Sequence, residues 1–271
     1  MYANAPAAAP VTLRTLAAKK AAGEKICALT AYDASFASLF DTCDVDVLLV
    51  GDSLGNVVQG RDTTIPVTVD HIVYHAMCVA RGARRCLRIG DMPFASYPDP
   101  ATGFANAARM MVEGDCAMVK LEGAGHVIDV IRYLSDRDVA VCAHLGLTPQ
   151  SVHKLGGYRV QGREEAAAKR LREDALAAQD AGAQMLVMEM VPAALAAEVT
   201  QSLRIPTIGI GAGVDCDGQI LVCYDLLGIT PGKRPRFARN FLRGNDTLEA
   251  AVRAYVAAVR DKSFPSAAET Y

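Results

Sequence analysis

Eight short segments of this chain are apolar at nearly every position, and longer stretches with helical spacing separate them. A strand buried on one face alternates apolar and polar residues, whereas a parallel strand covered on both faces is apolar throughout. These segments therefore predict parallel strands. They cover 26–31, 47–51, 87–90, 117–121, 139–143, 185–188, 207–210 and, with a weaker pattern, 219–223.

The intervals between these strands carry helical patterns. The predicted helices are 33–41, 69–81, 100–113, 127–137, 163–181, 192–203 and 247–259. Strands that alternate with helices indicate an α/β fold, and eight strands favour a closed (β/α)8 TIM barrel, which typically takes ~250 residues. A doubly wound open sheet is the alternative that this pattern leaves open.

The start of the chain predicts one more helix, over 13–22, with Thr12 as its N-cap and Gly23 just beyond its last residue. No linker, charge block or low-complexity segment divides the rest of the chain. We therefore expect residues 1–11 to form a disordered tail and residues 12–271 to form a single barrel domain.

Composition narrows the partners of such a domain. The net charge is −2, aromatic residues are 6% of the chain and Trp is absent, so nucleic acid is a poor candidate partner. No apolar stretch reaches the ~18 residues that a membrane span needs. The eight cysteines are scattered singly, without a C-x-x-C pair, as is typical of a reducing compartment. We expect a cytoplasmic protein that acts on small molecules.

Titratable residues gather where the predicted strands end. Asp52, Asp91 and Glu122 follow the second, third and fourth strands, His144 follows the fifth and Glu189 the sixth. In a parallel barrel these ends converge on one face, where active sites of this fold lie. The sequence therefore predicts that all five side chains share one site.

Three carboxylates at close range repel one another unless cations neutralise them or protons stay bound. An all-oxygen donor set without a matching His or Cys cluster favours a hard ion, Mg²⁺ before Zn²⁺. The sequence thus predicts a metal site at Asp52, Asp91 and Glu122. The alternative is that basic side chains satisfy the acids, with Lys120 as one candidate.

Glu189 lies among apolar neighbours in LVMEMVP, at 186–192, and such a poorly solvated carboxylate can serve as a general base. The alternative is a buried glutamate that is hydrogen-bonded to the backbone. His144 is suited to orient or polarise a substrate, or else is a core histidine.

Two other patterns are weaker than they look. His71 and His75 have the spacing of a zinc helix, but Ile72 stands where H-E-x-x-H needs glutamate. GIGAGV, at 209–214, places Val214 at the last glycine position of a dinucleotide-binding loop. We expect neither zinc binding nor a Rossmann site from these segments.

Nearly the whole chain, in order, resembles the ketopantoate hydroxymethyltransferase family. The matching segments are LTAYDASFA (29–37), VGDSLGNVVQGRDTTIPVTVD (50–70), GDMPF (90–94), MVKLEG (118–123), HLGLTPQS (144–151), GGYRVQGR (156–163), LVMEMVP (186–192), IGIGAG (208–213) and DGQILVCYDLLGI (217–229). The resemblance implies a barrel of the phosphoenolpyruvate/pyruvate-binding superfamily and Mg²⁺. It implies hydroxymethyl transfer from 5,10-methylenetetrahydrofolate to 3-methyl-2-oxobutanoate, the first step of pantothenate and coenzyme A biosynthesis. It also implies a homo-oligomer, commonly a decamer.

The resemblance implies roles for residues that the strand ends already single out. The implied metal ligands are Asp52, Asp91 and Glu122, the catalytic residues are Glu189, Lys120 and His144, and the substrate-binding residues are Asp52, Ser53, Asp91, Lys120 and His144. Glu189 would remove the C3 proton of a metal-chelated 2-oxoacid to give an enolate. Ala124, Asn56, Arg61 and the basic segment 231–241 depart from the family pattern, and the folate-binding residues stay unassigned.

Two other functions are weighed against this one. A Mg²⁺-dependent C–C lyase of the isocitrate lyase or phosphonomutase type would usually carry a cysteine in a catalytic loop, and no K-x-C-G-like segment occurs here. A barrel that serves only as a binding module would be expected to lose the acids at its strand ends, and here they are all present.

Overall fold

Eight parallel strands close into a barrel in sequence order, with β8 paired to β1. The computed structural model describes residues 9–230, 232 and 234–271. The strands are β1 Ile26–Thr30, β2 Val47–Val50, β3 Leu87–Asp91, β4 Met118–Glu122, β5 Val141–Gly146, β6 Met185–Glu189, β7 Thr207–Ile210 and β8 Gly218–Leu221. The closed (β/α)8 barrel is confirmed, and the open sheet is wrong.

Helices surround the barrel and fill the predicted intervals. They are α1 Leu13–Ala22, α2 Ala34–Thr42, α3 Leu54–Val57, α4 Val69–Gly82, α5 Pro100–Val112, α6 His126–Ser135, α7 Val152–Leu155, α8 Glu165–Asp180, α9 Ala193–Ser202, α10 Cys223–Leu227 and α11 Leu248–Arg260, with 3₁₀ turns at Pro149–Ser151 and Ala267–Glu269. The helix predicted over 13–22 is confirmed with its caps, since the Thr12 hydroxyl accepts from the Thr15 N–H at 3.2 Å and Gly23 is left-handed with φ 70°.

The strand ends differ from the prediction in a way that concerns the site. Several polar residues expected after the strands lie within them, because parallel pairing continues to the pairs Asp91 with Lys120, Glu122 with His144 and Gly146 with Glu189. In contrast, β8 stops at Leu221, so the predicted strand 219–223 is two residues too long at that end. The stretches after β2, β5 and β8 form the short helices α3, α7 and α10.

Burial on both faces explains the apolar strands. Every residue of β1 and β2 is buried, with the inner side chains packed in the barrel and the outer ones covered by helices. All eight cysteines are free, and seven of them are buried. Among the described residues, no helix is long and apolar enough to cross a membrane.

Helix α1 is bound by two ion pairs to the amino-terminal end of the barrel. Lys19 Nζ lies 3.0 Å from a carboxylate oxygen of Asp46, just before β2, and Lys20 Nζ lies 2.6 Å from Asp217 Oδ2, just before β8. Most of the predicted tail, residues 1–8, lies outside the described residues. Val11 is buried, and its N–H donates to the Arg85 carbonyl at 2.7 Å.

Candidate active site

A cavity of about 560 Å³ opens at the carboxyl ends of the strands. All seven site residues named from the sequence line it: Asp52, Ser53, Asp91, Lys120, Glu122, His144 and Glu189. They come from β2, β3, β4, β5 and β6 or from the residues directly after them. The structure therefore brings the complete predicted set to one place.

Three carboxylates form the buried end of the site. Asp52, Asp91 and Glu122 are each at most 6% exposed, and one oxygen from each lies within 4.8 Å of the others. The backbone N–H of Asp52 donates to Asp91 Oδ2 at 2.9 Å, which fixes these two acids relative to each other. The short α3 begins just after Ser53, and its residues Asn56 and Val57 also line the cavity.

Lys120 is the ammonium group within this cluster. Its Nζ lies 2.8 Å from Asp91 Oδ1, 3.2 Å from Glu122 Oε1 and 3.3 Å from His144 Nδ1. Burial alone would lower the pKa of Lys120, but the surrounding carboxylates outweigh burial and hold that pKa well above its ordinary value. Lys120 is therefore a fixed positive charge in the site.

The three acids do not share this charge equally. Burial raises the pKa of Asp52 well above its ordinary value, and the neighbouring Asp91 and Glu122 add to that rise. Burial likewise raises the pKa of Asp91, although Lys120 opposes it. Burial acts in the same direction on Glu122, but Lys120 and His144 overcome it and lower its pKa to about 2. Asp52 and Asp91 therefore lack sufficient positive partners.

His144 connects the acidic cluster to Glu189. Its Nδ1 lies 3.1 Å from Glu122 Oε1, and its Nε2 lies 3.4 Å from Glu189 Oε2. Burial and the nearby Lys120 act to lower the pKa of His144, but Glu122 and Glu189 prevail and raise it to about 9. Nε2 makes no hydrogen bond with the described residues, so its interaction with Glu189 is a charge interaction across 3.4 Å, whereas Nδ1 is within hydrogen-bond distance of Glu122. The side chain of Glu189 is 15% exposed and reaches into the cavity.

Ser53 occupies the wall beside the acids. Its Oγ lies 2.8 Å from the hydroxyl of Tyr32, and either oxygen can donate. The Tyr32 ring is buried and packs edge-on against Tyr224 and His75. Ser53 thus presents its hydroxyl to the cavity from a position held by buried aromatic contacts.

Two residues that the sequence did not single out organise the acids. Gln150 Nε2 donates to Asp52 Oδ2 at 3.0 Å and to the Met92 carbonyl at 2.9 Å, and its backbone N–H donates to Glu122 Oε2 at 3.1 Å. The hydroxyl of Tyr97 donates to Gln150 Oε1 at 2.6 Å. Gln150 belongs to the segment HLGLTPQS, where its place shortly after His144 was the available signal.

The donor set fits a hard divalent cation. Asp52, Asp91, Glu122 and Glu189 carry four negative charges when ionised, against Lys120 and protonated His144, so four minus two leaves an excess of two negative charges. Oxygen ligands of this kind suit Mg²⁺ better than Zn²⁺. Asp52, Asp91 and Glu122 form the one cluster of potential metal ligands within the described ranges.

The weaker histidine pair does not form a site of its own. His71 Nδ1 accepts from the Thr68 N–H at the start of α4, whereas His75 Nδ1 lies 2.6 Å from the Tyr32 carbonyl. The segment GIGAGV forms the end of β7 and the turn that follows it, within a closed barrel and not a doubly wound sheet. Neither finding supports zinc or dinucleotide binding.

Comparisons with known proteins agree with this geometry. Residues 10–267 match the family model described as ketopantoate hydroxymethyltransferase. The chain is 55% identical over 270 residues to 3-methyl-2-oxobutanoate hydroxymethyltransferase of Cupriavidus taiwanensis, covering 100% of this chain and 98% of that one. It is 56% identical over 270 residues to the protein of that name from Paraburkholderia phymatum, covering 100% and 99%.

Solved structures share the barrel at much lower identity. A crystal structure of 2,3-dimethylmalate lyase, a member of the PEP mutase/isocitrate lyase superfamily, superposes with a TM-score of 0.52 at 19% identity, covering 72% of this chain and 70% of that one. A likeness at this identity concerns the fold alone, and it agrees with the closed barrel of this chain.

Proposed function

The chain belongs to the ketopantoate hydroxymethyltransferase family and is an enzyme that transfers one-carbon units, and from this premise we propose its reaction and the residues that perform it. It transfers a hydroxymethyl group from 5,10-methylenetetrahydrofolate to 3-methyl-2-oxobutanoate. A divalent cation, Mg²⁺ by donor preference, binds at Asp52, Asp91 and Glu122. Glu189 is the general base.

The observation that carries this proposal is the excess negative charge of the buried cluster. Asp52 and Asp91 have raised pKa values because burial and neighbouring carboxylates disfavour their ionised forms. Isolated buried charges are costly, so a buried group of acids of this kind is typical of a site where a cation or a substrate compensates their negative charge. A bound divalent cation would supply Lewis-acid stabilisation of the negative charge that develops on a 2-oxoacid.

Lys120 and Ser53 bind the carboxylate of the oxoacid in this mechanism. The Lys120 ammonium group is held by Asp91 and Glu122, so it needs no reorganisation when substrate arrives. The Ser53 hydroxyl lies on the same cavity wall and can turn its hydrogen toward a substrate oxygen, because its partner Tyr32 can donate in its place. Together they fix the orientation of the carbon chain.

Glu189 takes the C3 proton of the oriented oxoacid on a carboxylate oxygen. Its Oε2 lies 3.4 Å from His144 Nε2, so the imidazolium holds the carboxylate in place before the transfer. One water completes the reaction: it hydrolyses the methylene bridge, so that both C–N bonds break, its two protons go to the folate nitrogens and its oxygen stays on the one-carbon unit as formaldehyde. The enolate carbon attacks that carbon, and the resulting alkoxide takes back the proton held by Glu189 to give the hydroxymethyl group. The apolar walls formed by Leu49, Val187 and Ile210 limit water around the enolate carbon, which protects the nucleophile from reprotonation.

The C–C lyase alternative has less support. The likeness to a superfamily lyase lies in the barrel, whereas the family match and the 55–56% identities extend over nearly the whole chain. A catalytic-loop cysteine would be expected to reach the cavity, yet none of the cavity-lining residues in the described part of the chain is a cysteine. The non-catalytic module is disfavoured because every predicted site residue lines the cavity.

The proposal is tested without folate. The protein is incubated with 3-methyl-2-oxobutanoate and Mg²⁺ in D₂O, and loss of the C3 proton signal is followed by NMR. We expect metal-dependent exchange that falls by at least about 100-fold in Glu189→Gln, since a positioned general base contributes about 10²–10⁴-fold. Asp91→Asn should weaken the Mg²⁺ dependence. The exposed Glu198→Gln on α9 is the matched control and should exchange normally.

Two results would contradict this assignment. If the wild-type protein shows no metal-dependent exchange, the enolate mechanism is wrong. If Glu189→Gln exchanges at the rate of Glu198→Gln, another group is the base. The cytoplasmic location and the homo-oligomer, a decamer by resemblance, stay predictions.

A further inference from the structure

One buried carboxylate in the cavity has no part in the mechanism described above. Asp225 lies on α10, is 5% exposed, and lines the same cavity as the acidic cluster. Its Oδ1 accepts from the Thr230 hydroxyl at 2.6 Å. Among the residues that the structure describes, Oδ2 has neither a hydrogen-bond donor nor an ion-pair partner. Because Oδ2 is not one of the fully buried unpartnered atoms of the described residues, it keeps access to the cavity, and a donor group of a ligand can reach it.

The barrel topology places Asp225 across the mouth from β4, the strand that carries Lys120 and Glu122. In a closed barrel of eight strands in sequence order, β8 and β4 are on opposite sides. Lys120 and Glu122 lie on β4, whereas Asp225 follows β8 by a few residues. The oxoacid carboxylate is held by Lys120 on β4 and by Ser53 after β2. Strand β8 pairs with β1 and β7, so the part of the cavity near Asp225 is left for the second substrate.

The chemistry of that second substrate matches a carboxylate. A reduced pterin carries the N3–H and one N–H of its 2-amino group side by side on one edge of the ring. Two adjacent donors of this kind pair with the two oxygens of a carboxylate in a bidentate, charge-assisted arrangement. We propose that Asp225 binds this edge of the folate co-substrate. The inference rests on the proposed function, because it names the binding residue for the donor of the one-carbon unit.

The rest of the wall is consistent with the same orientation. Phe237 and Tyr271 line the cavity and supply aromatic surface for the flat middle of a folate, and the Arg236 guanidinium lies 5.4 Å from the centre of the Tyr271 ring. Arg234 and Arg236 also line it, and both are exposed, so they can meet the glutamate carboxylates toward solvent. The pterin would then lie at the buried end of this half and the charged tail at the mouth.

The experiment compares two ligands on two proteins. Binding of tetrahydrofolate and of its 2-desamino analogue, which lacks one of the two donors, is measured by calorimetry on the wild type and on Asp225→Asn. We expect the wild type to bind the analogue about 10- to 100-fold more weakly than the parent, as for loss of a charge-assisted hydrogen bond. Asp225→Asn should bind tetrahydrofolate more weakly by a similar factor, and it should bind tetrahydrofolate and the 2-desamino analogue with nearly equal affinity.

Two further measurements separate the possible failures. The folate-free deuterium exchange of the oxoacid should stay within twofold of wild type in Asp225→Asn, which also reports that the variant is folded. Asp174→Asn on α8, outside the cavity, is the matched control and should bind both ligands as the wild type does. If the wild type binds the analogue as tightly as the parent, this inference is wrong whatever the variant does. A wild type without exchange would instead contradict the proposed function.

Discussion

Replacing Gln150 by leucine tests whether a residue outside the implied catalytic set controls the metal site. Leucine keeps a similar volume but removes the side-chain hydrogen bonds to Asp52, the Met92 carbonyl and Tyr97. The backbone N–H of residue 150 still donates to Glu122, so the local turn is retained. At about 1 kcal/mol for each neutral bond and about 1.5–3 kcal/mol for the bond to a carboxylate, the loss is about 3.5–5 kcal/mol.

Water reduces this figure because Asp52 lines the cavity and can be rehydrated from it. We therefore expect the free energy of unfolding of the metal-free protein to fall by about 2–3 kcal/mol. The metal site should weaken as well. Burial raises the pKa of Asp52, and the hydrogen bond from Gln150 opposes that rise, so its loss favours the protonated acid. Because protons compete with the metal for Asp52, apparent Mg²⁺ binding should weaken, and more so as the pH falls.

Urea unfolding with EDTA and Mg²⁺ titration of the exchange reaction measure the two effects. Gln179→Leu is the matched control, because Gln179 is also a buried glutamine. Its side-chain oxygen accepts from the backbone N–H groups of Arg204 and Ile205, and it lies near the last residue of α8, away from the cavity. It should lower stability and leave Mg²⁺ binding unchanged. The reasoning is refuted if Gln150→Leu binds Mg²⁺ as tightly as the control does.

Two further predictions concern proton binding and backbone fit. The pKa of His144 is raised from 6.5 to about 9, because Glu122 and Glu189 outweigh burial and Lys120. Protonated His144 therefore stabilises the folded protein, and this stabilisation is present below pH 6.5 and is lost as pH rises through about 9. Urea unfolding of the metal-free protein across this range should show a decline that His144→Gln lacks, and equal declines would disprove the charge assignment. Gly146 has φ 90°, and an added Cβ would lie 2.3 Å from the Glu189 carbonyl oxygen. Gly146→Ala should therefore lower the free energy of unfolding by about 3 kcal/mol or more and slow deuterium exchange of the oxoacid. Gly156 has φ 67° and open space around it, so Gly156→Ala should lower the free energy of unfolding by only about 1–2 kcal/mol. Similar losses in both variants would argue against the steric explanation.

The barrel could be predicted because its strands and helices follow from patterns among residues that are close in sequence. A strand covered on both faces must be apolar at each position, and β1 and β2 are buried throughout. The caps of α1 are equally local, since Thr12 and Gly23 act within one turn of the helix ends. The exact ends of the strands do not follow from nearby residues. Whether Glu122 belongs to β4 depends on its pairing with His144 on the next strand, which hydropathy does not report.

The site was predictable to the extent that the strands carry it. Asp52, Asp91 and Glu122 meet because parallel strand ends converge in a closed barrel. Gln150 and Tyr97 were missed because they reach the acids from loops, through hydrogen bonds between residues far apart in sequence. No spacing or charge pattern marks such a role for Tyr97, and for Gln150 the one signal is its place shortly after His144.

The two ends of the barrel show why an acid in the sequence is ambiguous until its partners are known. At the amino-terminal end, Asp46 is bound by Lys19 and the Cys27 N–H, and Asp217 by Lys20 and the Thr207 N–H. Each of these acids has its own cation and a backbone donor, which accounts for its charge. At the other end, Lys120 and His144 pair with Asp91, Glu122 and Glu189, and the described residues give the neighbouring Asp52 no ion-pair partner. Fully paired acids hold a fold together, whereas acids left with surplus charge inside a cavity can bind a cation or remove a proton, so the balance of partners separates structural acids from functional ones.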